Sequence, residues 1–371
     1  MPWNPTVNYV DSDIGGSSGS GTSGDPWSSI EYALAQYTAN GTDGNILRGK
    51  GVETISTTLV EKAGHQTSDP LIFSTWDGDW TLSGGGSNFS IFGGGQGVHW
   101  INDNLGAYVL SLTNTGTAAV IGTSTYGTVQ GLEISNSSGN GIDLGGTYGA
   151  IAYNHIHDIG GIGIDSNVQQ RNIFCNYLKN DGTHTMTLGI RAYLRSCVRR
   201  NILSLDSTSD GIDCVQQYGS DCSHNSVIVD SGTGIFASNV NEIMQHVSNN
   251  LVEIGASGTG IDFNGNRIKA ALLGNAVFGS GTKYTTDTLG SGSYTFWLDD
   301  NEELSATPFS KSGSDTYANR MTYFAPASTG NVIGGAHGGG GNLDKGAVQS
   351  AGGGGGVSSM LRRANLRGGF N

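Results

Sequence analysis

The feature that most constrains this chain is a double repeat. Isoleucines preceded by glycine stand at Ile142, Ile164, Ile190, Ile212, Ile235 and Ile261, with gaps of 22, 26, 22, 23 and 26 residues. A second column, Asn154, Asn176, Asn201, Asn225, Asn250 and Asn275, runs beside it with gaps of 22, 25, 24, 25 and 25. Two columns holding one period through six repeats mean one supersecondary unit stacked on itself.

Inside each repeat the side chains alternate with a period of two, as in strands. Two residues after each Ile lie Leu144, Ser166, Ala192, Cys214, Ala237 and Phe263, and three before each Asn lie Ile151, Ile173, Val198, Cys222, Val247 and Leu272. Two after each Asn come Ile156, Leu178, Leu203, Val227, Val252 and Val277, an unbroken apolar column. All three columns read as inward-facing. Short strands with Gly, Asn or Ser at the corners describe the coils of a parallel β-solenoid, in which equivalent side chains stack about 4.8 Å apart. The Asn column shares the parity of the core, so it is expected to form an internal amide ladder that satisfies corner backbone groups. The glycine before each Ile is expected to serve a corner needing positive φ or close backbone approach.

Composition agrees with that reading. Glycine makes up 62 of 371 residues and only 13% are charged, which excludes an ordinary helix-rich enzyme. Collagen is excluded because the glycines do not recur every third residue and there are only 6 prolines. A hydrophobic content of 36% in spaced aliphatic runs excludes simple disorder. The net charge of −13 argues against nucleic acid as a partner. No stretch approaches the length of a membrane span, and residues 1–5 lack the basic and apolar regions of a signal peptide, so neither membrane insertion nor standard secretion is expected. Cys175, Cys197, Cys214 and Cys222 show no metal-ligand spacing and read as free thiols.

This combination resembles the right-handed parallel β-helix, or pectate-lyase-like, family over about residues 45–280. The handedness comes from that resemblance. The expected fold is therefore all-β: a single right-handed parallel β-helix with coils of about 22–26 residues, an N-terminal capping helix and a loop-rich C-terminal cap. Residues 1–44 resemble the family's N-terminal cap, with Ser28 or Ser29 as N-cap of a short helix carrying Ile30, Ala33 and Leu34. Residues 281–350 are read as the C-terminal cap, within which 342–349 resembles a closing strand. Residues 351–371 form a Gly-rich tail with Arg362, Arg363 and Arg367 and no acid. Without those three arginines the remainder holds 15 basic and 31 acidic residues, a net of −16, so the tail is expected to dock onto another copy or another assembly subunit.

One residue after each Ile runs an outward column: Asp143, Asp165, Arg191, Asp213, Phe236 and Asp262. Carboxylates one or two coils apart can flank a glycosidic bond as acid and base. Asp143 and Asp165 can instead share a Ca²⁺ ion, since stacked oxygen donors repel until a cation joins them. The bland alternative is a solvated face in which Arg191 neutralises its neighbours. No cofactor is required by the sequence, and Ca²⁺ is the one to test.

Ser209-Asp210-Gly211-Ile212-Asp213 is similar to the Asn-Thr-Asp-Gly-Ile-Asp signature of the polygalacturonase branch, and Asp210 matches its first catalytic carboxylate. The next coil has Gly232 and Thr233 where that branch has an Asp pair, and Thr259 replaces its His. Arg267-Ile268-Lys269 resembles its basic tripeptide but lies six residues beyond Ile261. Asp165, Arg191 and Asp213, by type, and Asp210, by its match to that signature, are the candidate catalytic set. His155 and His157 flank inward Ile156 and should face outward, His184 lies in an insertion, and Trp76, Trp80, Trp100, Tyr148 and Tyr193 are sugar-stacking platforms if outward and core if not.

Three functions follow from the residues and the resemblance. The first is a structural β-helix subunit of an extracellular or virion assembly of the bacteriophage tail, fibre or head-decoration type, in contact with glycans. The second is a polysaccharide lyase or glycoside hydrolase acting through the Asp/Arg ladder, and the third a non-catalytic glycan-binding module. Localisation at a virion or extracellular surface goes with the first.

Overall fold

In a computed structural model of the chain, the structure describes residues 4–16, 18–37, 44–59, 70–86, 89–92, 97–103, 107–122, 125–166, 170–193, 195–205, 208–214, 221–236, 244–263, 269–286, 296–299, 301–327 and 346. The chain divides into two compact units, 1–196 and 197–371. Each is a parallel β-solenoid, and the two together make up about eight turns with very little helix. Among the described residues no helix is long and apolar enough to cross a membrane.

In the first unit the strand Thr6–Asp11 pairs in parallel with Asn45–Thr54, which pairs in turn with Leu71–Ser83. The helix Ile30–Gln36 lies between the first two of these strands in sequence, and its Ser29 N-cap accepts from the Tyr32 amide at 3.0 Å. The Glu53 carboxylate accepts from the Ile30 amide at 2.9 Å, satisfying a further donor of the first turn. Ile30, Ala33 and Leu34 are buried. Three coils follow, each built of an opening strand, a strand before the corner and a strand after it. The strand Ala118–Gly122 and the three Gly-Ile strands Asn140–Leu144, Ile162–Ser166 and Leu188–Ala192 stack in register with Val120, Ile142, Ile164 and Ile190 aligned and buried.

The second unit repeats the plan. Ile212, Ile235 and Ile261 align, and the next residue of that stack is Tyr284 of the strand Thr282–Thr286. Parallel pairing thus continues past residue 280, where the sequence pattern ended. Phe296–Asp299 pairs with Lys269–Leu273, and Glu302–Leu304 pairs with Ala276–Gly279. The repeat was hidden there because Tyr284 stands in place of the isoleucine and acidic residues surround Asn301. Beyond it, Phe309 and Phe324 meet edge to face at 5.2 Å inside the segment that ends the described chain. Of the segment 342–349, expected to be a closing strand, only Gly346 is described, and the tail with Arg362, Arg363 and Arg367 lies outside the described residues.

The Asn column is the internal ladder the parity demands. In the second unit, the Asn201 side chain and main-chain N–H both donate to Asn225 Oδ1 (3.1 and 3.0 Å), and Asn225, Asn250 and Asn275 repeat the pattern to end on Asn301. Each side-chain amide from Asn225 onward also donates to a carbonyl in the strand that precedes the corner, one coil back: Val198, Cys222, Val247 and Leu272. Asn154 and Asn176 are linked in the same way in the first unit.

Of the two reasons expected for the glycines before the isoleucines, close approach holds and positive φ does not. Positive φ belongs instead to the residue before each Asn: Tyr153 (57°), Cys175 (57°), Arg200 (56°), His224 (56°), Asn249 (57°) and Gly274 (63°). The glycines are needed for close approach. A Cβ on Gly211 would lie 2.2 Å from the Gly234 carbonyl oxygen, and one on Gly234 2.5 Å from Val252 Cγ1. None of the four cysteines forms a disulfide, and Cys214 and Cys222 lie in the core. Burial raises the Cys222 thiol further above its ordinary value, after the larger effect of Cys214 beside it.

Candidate functional site

The Gly-Ile strands carry the outward column by alternation. Because Ile142, Ile164 and Ile190 point inward, the next residue of each strand points the other way. The register aligns Ile121, Asp143, Asp165 and Arg191 in a single row. Arg191 Nη1 lies 3.3 Å from Asp165 Oδ2, and the Asn140 amide donates to Asp143 Oδ2 at 3.4 Å.

Depth is where this row departs from a solvated face. Asp165 is only 7% exposed, and its Oδ1 is buried with no hydrogen-bond partner among the described residues. Burial pushes its carboxyl above the usual range; Arg191 opposes this, and the like charge of Asp143 adds to it. Burial also raises Asp143, against the Asn140 hydrogen bond and the Arg191 charge. Two desolvated carboxylates in adjacent coils beside one guanidinium can exchange protons or hold a polar ligand.

They do not suit calcium. Ca²⁺ takes 6–8 oxygen ligands, whereas this row offers two carboxylates, one already engaged by a guanidinium that would repel a divalent cation.

Asp210 and Asp213 lie in the second unit, both on the strand Asp210–Cys214. Asp210 Oδ1 accepts from the Thr233 amide at 2.7 Å, which is the job Asn140 Oδ1 does for the Ile162 amide at 2.8 Å. The signature-like Asp210 therefore ties its coil to the next one. Asp213 pairs in register with Phe236, so an aromatic residue stands where the first unit has a second charged group. Lys269 starts the strand Lys269–Leu273, while Arg267 and Ile268 lie outside the described residues.

The aromatic candidates separate by depth. Trp80 and Trp100 are core, Trp100 stacked on Phe73 at 4.2 Å. Trp76 is half-buried, with Tyr9 against its edge and the Lys50 ammonium 4.7 Å from its ring centre. Tyr148 is 43% exposed and stacks on Tyr126, itself 37% exposed, with ring centres 5.4 Å apart and planes 13° from parallel. These two tyrosines occupy equivalent places in successive coils, just after the strands that carry Ile121 and Asp143. Arg171 is buried beneath them and donates to the carbonyls of Gly127 (2.8 Å) and Gly146 (2.5 Å), fastening both corner loops. Burial lowers its guanidinium to about 10, so it stays charged at neutral pH. Sequence reasoning missed Tyr126 and Arg171. The signal for Tyr126 was available, since it precedes Tyr148 by one 22-residue period.

His155 and His157 do face outward on either side of buried Ile156 and meet Glu133 of the preceding coil, while His184 packs on Asp158 at 3.2 Å.

No family model matches the chain, and no curated protein matches it. Among solved structures it is similar to the crystal structure of pectate lyase Pel9A, with a TM-score of 0.50 and 15% identity over 93% of this chain and 96% of that one. At that identity the likeness speaks for fold alone, and in fold the chain is a right-handed parallel β-helix of the pectate-lyase-like kind.

Proposed function

We propose that the protein engages a polysaccharide along the face made by Asp143, Asp165 and Arg191 and the adjoining Tyr126–Tyr148 corner, as a subunit of an extracellular or virion-surface assembly. The observation that carries the reading is the exposed, parallel tyrosine pair beside that polar row. Flat aromatic faces pack against the C–H faces of sugar rings, and a guanidinium with carboxylates fixes hydroxyl or acid groups. The corner backbone that carries the two rings is itself fastened by the buried Arg171, which holds the platform in place.

A second reading, cleavage of the bound chain by a lyase or hydrolase, is favoured by the upward shift of both Asp143 and Asp165. The fold likeness to a pectate lyase is consistent with it.

The experiment is titration of the untagged protein with a panel of acidic and neutral polysaccharides, with reducing ends and unsaturated products followed in parallel. Binding should weaken about tenfold, about 1.4 kcal/mol, in Tyr148→Ala with melting temperature unchanged, and similarly in Arg191→Ala, where loss of the Asp165 counter-charge should also lower the melting temperature. Product formation that disappears in Asp165→Asn while binding persists establishes cleavage. Silence across the panel overturns both readings.

A further inference from the structure

A different set of strands, those after the Asn corner, presents a cluster that the glycan face does not use. Glu133 of the strand Leu132–Ser137 pairs in register with His155, and Ile156 between the two histidines is fully buried, so both imidazoles project outward beside the carboxylate. Glu133 Oε1 lies 3.6 Å from His155 Nδ1 and 3.3 Å from His157 Nε2. The three donor atoms all lie within 4.8 Å of one another. The other oxygen, Oε2, is taken by the Ser111 hydroxyl at 3.1 Å, which turns Oε1 toward the rings. The rings themselves are stacked at 4.3 Å, 14° from parallel, and Tyr177 stacks on His155 from the next coil.

The hydrogen-bond chemistry of His157 decides what this arrangement can hold. Its Nδ1 lies 3.0 Å from Asp181 Oδ1, and a carboxylate there keeps the proton on Nδ1. In the neutral ring Nε2 then directs a lone pair at Glu133 Oε1, which has only lone pairs to offer in return. A lone pair from one oxygen facing a lone pair from one nitrogen requires either an extra proton or a cation, and His155 completes the set by turning its ring out of the stack with His157. The spacing suits the cation: ligands at about 2.0–2.1 Å in a tetrahedron stand about 3.3 Å from each other. Two imidazoles and one carboxylate, with the fourth position open to solvent, are the ligand set of a first-row transition ion and not of calcium, which prefers an all-oxygen cage.

We infer that Glu133, His155 and His157 bind a divalent transition ion, zinc in particular, with Asp181 as the outer carboxylate that orients His157. The competitor is a proton shared between His157 and its two carboxylate neighbours, Glu133 at 3.3 Å and Asp181 at 3.0 Å. Lys179 Nζ lies 3.9 Å from Asp181 Oδ2.

The test uses the full, untagged chain, stripped with chelator and dialysed. Calorimetry with Zn²⁺ should show one equivalent bound at about micromolar affinity or tighter, and Co²⁺ should give the intense visible bands of a four-coordinate site. His155→Ala and His157→Ala should each weaken Zn²⁺ binding at least tenfold, Asp181→Asn about tenfold, and His184→Ala not at all. Circular dichroism checks folding of each variant. If an alanine variant unfolds, Glu133→Gln replaces it, and the Co²⁺ spectrum of the unmutated chain reports the geometry without any variant. The inference is overturned by no Zn²⁺ heat up to about 1 mM, by a six-coordinate Co²⁺ spectrum, or by binding that survives both histidine changes. Its failure would leave the glycan reading intact, since none of these residues belongs to that face.

Discussion

Asp165 shows what a single carboxylate does when alternation turns it outward and neighbouring coils cover it. Its pKa lies above the ordinary 3.8, chiefly through burial, so the native state holds this proton more tightly than the unfolded chain does. Stability is therefore highest with the group protonated; it declines as pH rises from about 4 through the folded-state value, and the deficit is complete above it. Asp165→Asn keeps the shape and removes the titration. The variant should be more stable than the parent at neutral pH by about 1 kcal/mol, with the difference fading as pH falls to 4. Urea midpoints measured between pH 4 and 8 check this, and parallel curves would refute it. The Asp/Arg column was legible in the sequence because parity assigns a face. The depth of Asp165 was not, because parity cannot say what the loops of adjacent coils cover. Nor could the left-handed corner residues be found from chemistry: Tyr153, Cys175, Arg200 and His224 share a position and nothing else.

At the scale of the element, the Asn ladder and the glycine columns make each coil depend on its neighbours. In the second unit Asn225 is an interior rung, accepting two hydrogen bonds from Asn201 and donating to Val198 and Asn250, all buried. Asn225→Ala strands several buried polar groups at once, each worth about 1–3 kcal/mol, so a loss of about 3 kcal/mol or more is expected. Asn301→Ala removes the last rung, which is half-buried, and should cost markedly less. Equal losses in urea unfolding would mean that the ladder is not the source of the corner's stability. Gly234→Ala should cost about 1–3 kcal/mol by overpacking, because its Cβ would meet Val252 Cγ1 at 2.5 Å and the Gly260 carbonyl oxygen at 2.7 Å. Columns such as these are the part of a solenoid that sequence shows best, since one coil's geometry is printed once per repeat. The coil containing Asn301 escaped because its isoleucine position holds Tyr284, and a column is recognised by identity before it is recognised by shape.

At the scale of the whole molecule, charge is the feature the fold does not explain. Solenoid coils need aliphatic columns and corner residues, and neither requires a net of −16 over residues 1–350 or three arginines without an acid over the last 21. Segregated opposite charges attract across a Debye length of about 8–10 Å at moderate salt, so the assembly proposed above predicts that the basic end of one copy meets the acidic body of another. Arginine forks bind carboxylates bidentately, which turns that attraction into a defined contact. Light scattering of the full chain at low ionic strength should accordingly give a multimer, and a chain ending at Ser350 a monomer. Raising the salt to about 1 M, where the screening length is about 3 Å, should dissociate the full-length multimer, and Arg362→Glu with Arg363→Glu should reproduce the truncation. A multimer that survives truncation would place the contact on the β-helix itself. Two monomers at every salt concentration would remove the assembly half of the proposed function and leave the polysaccharide face to stand alone.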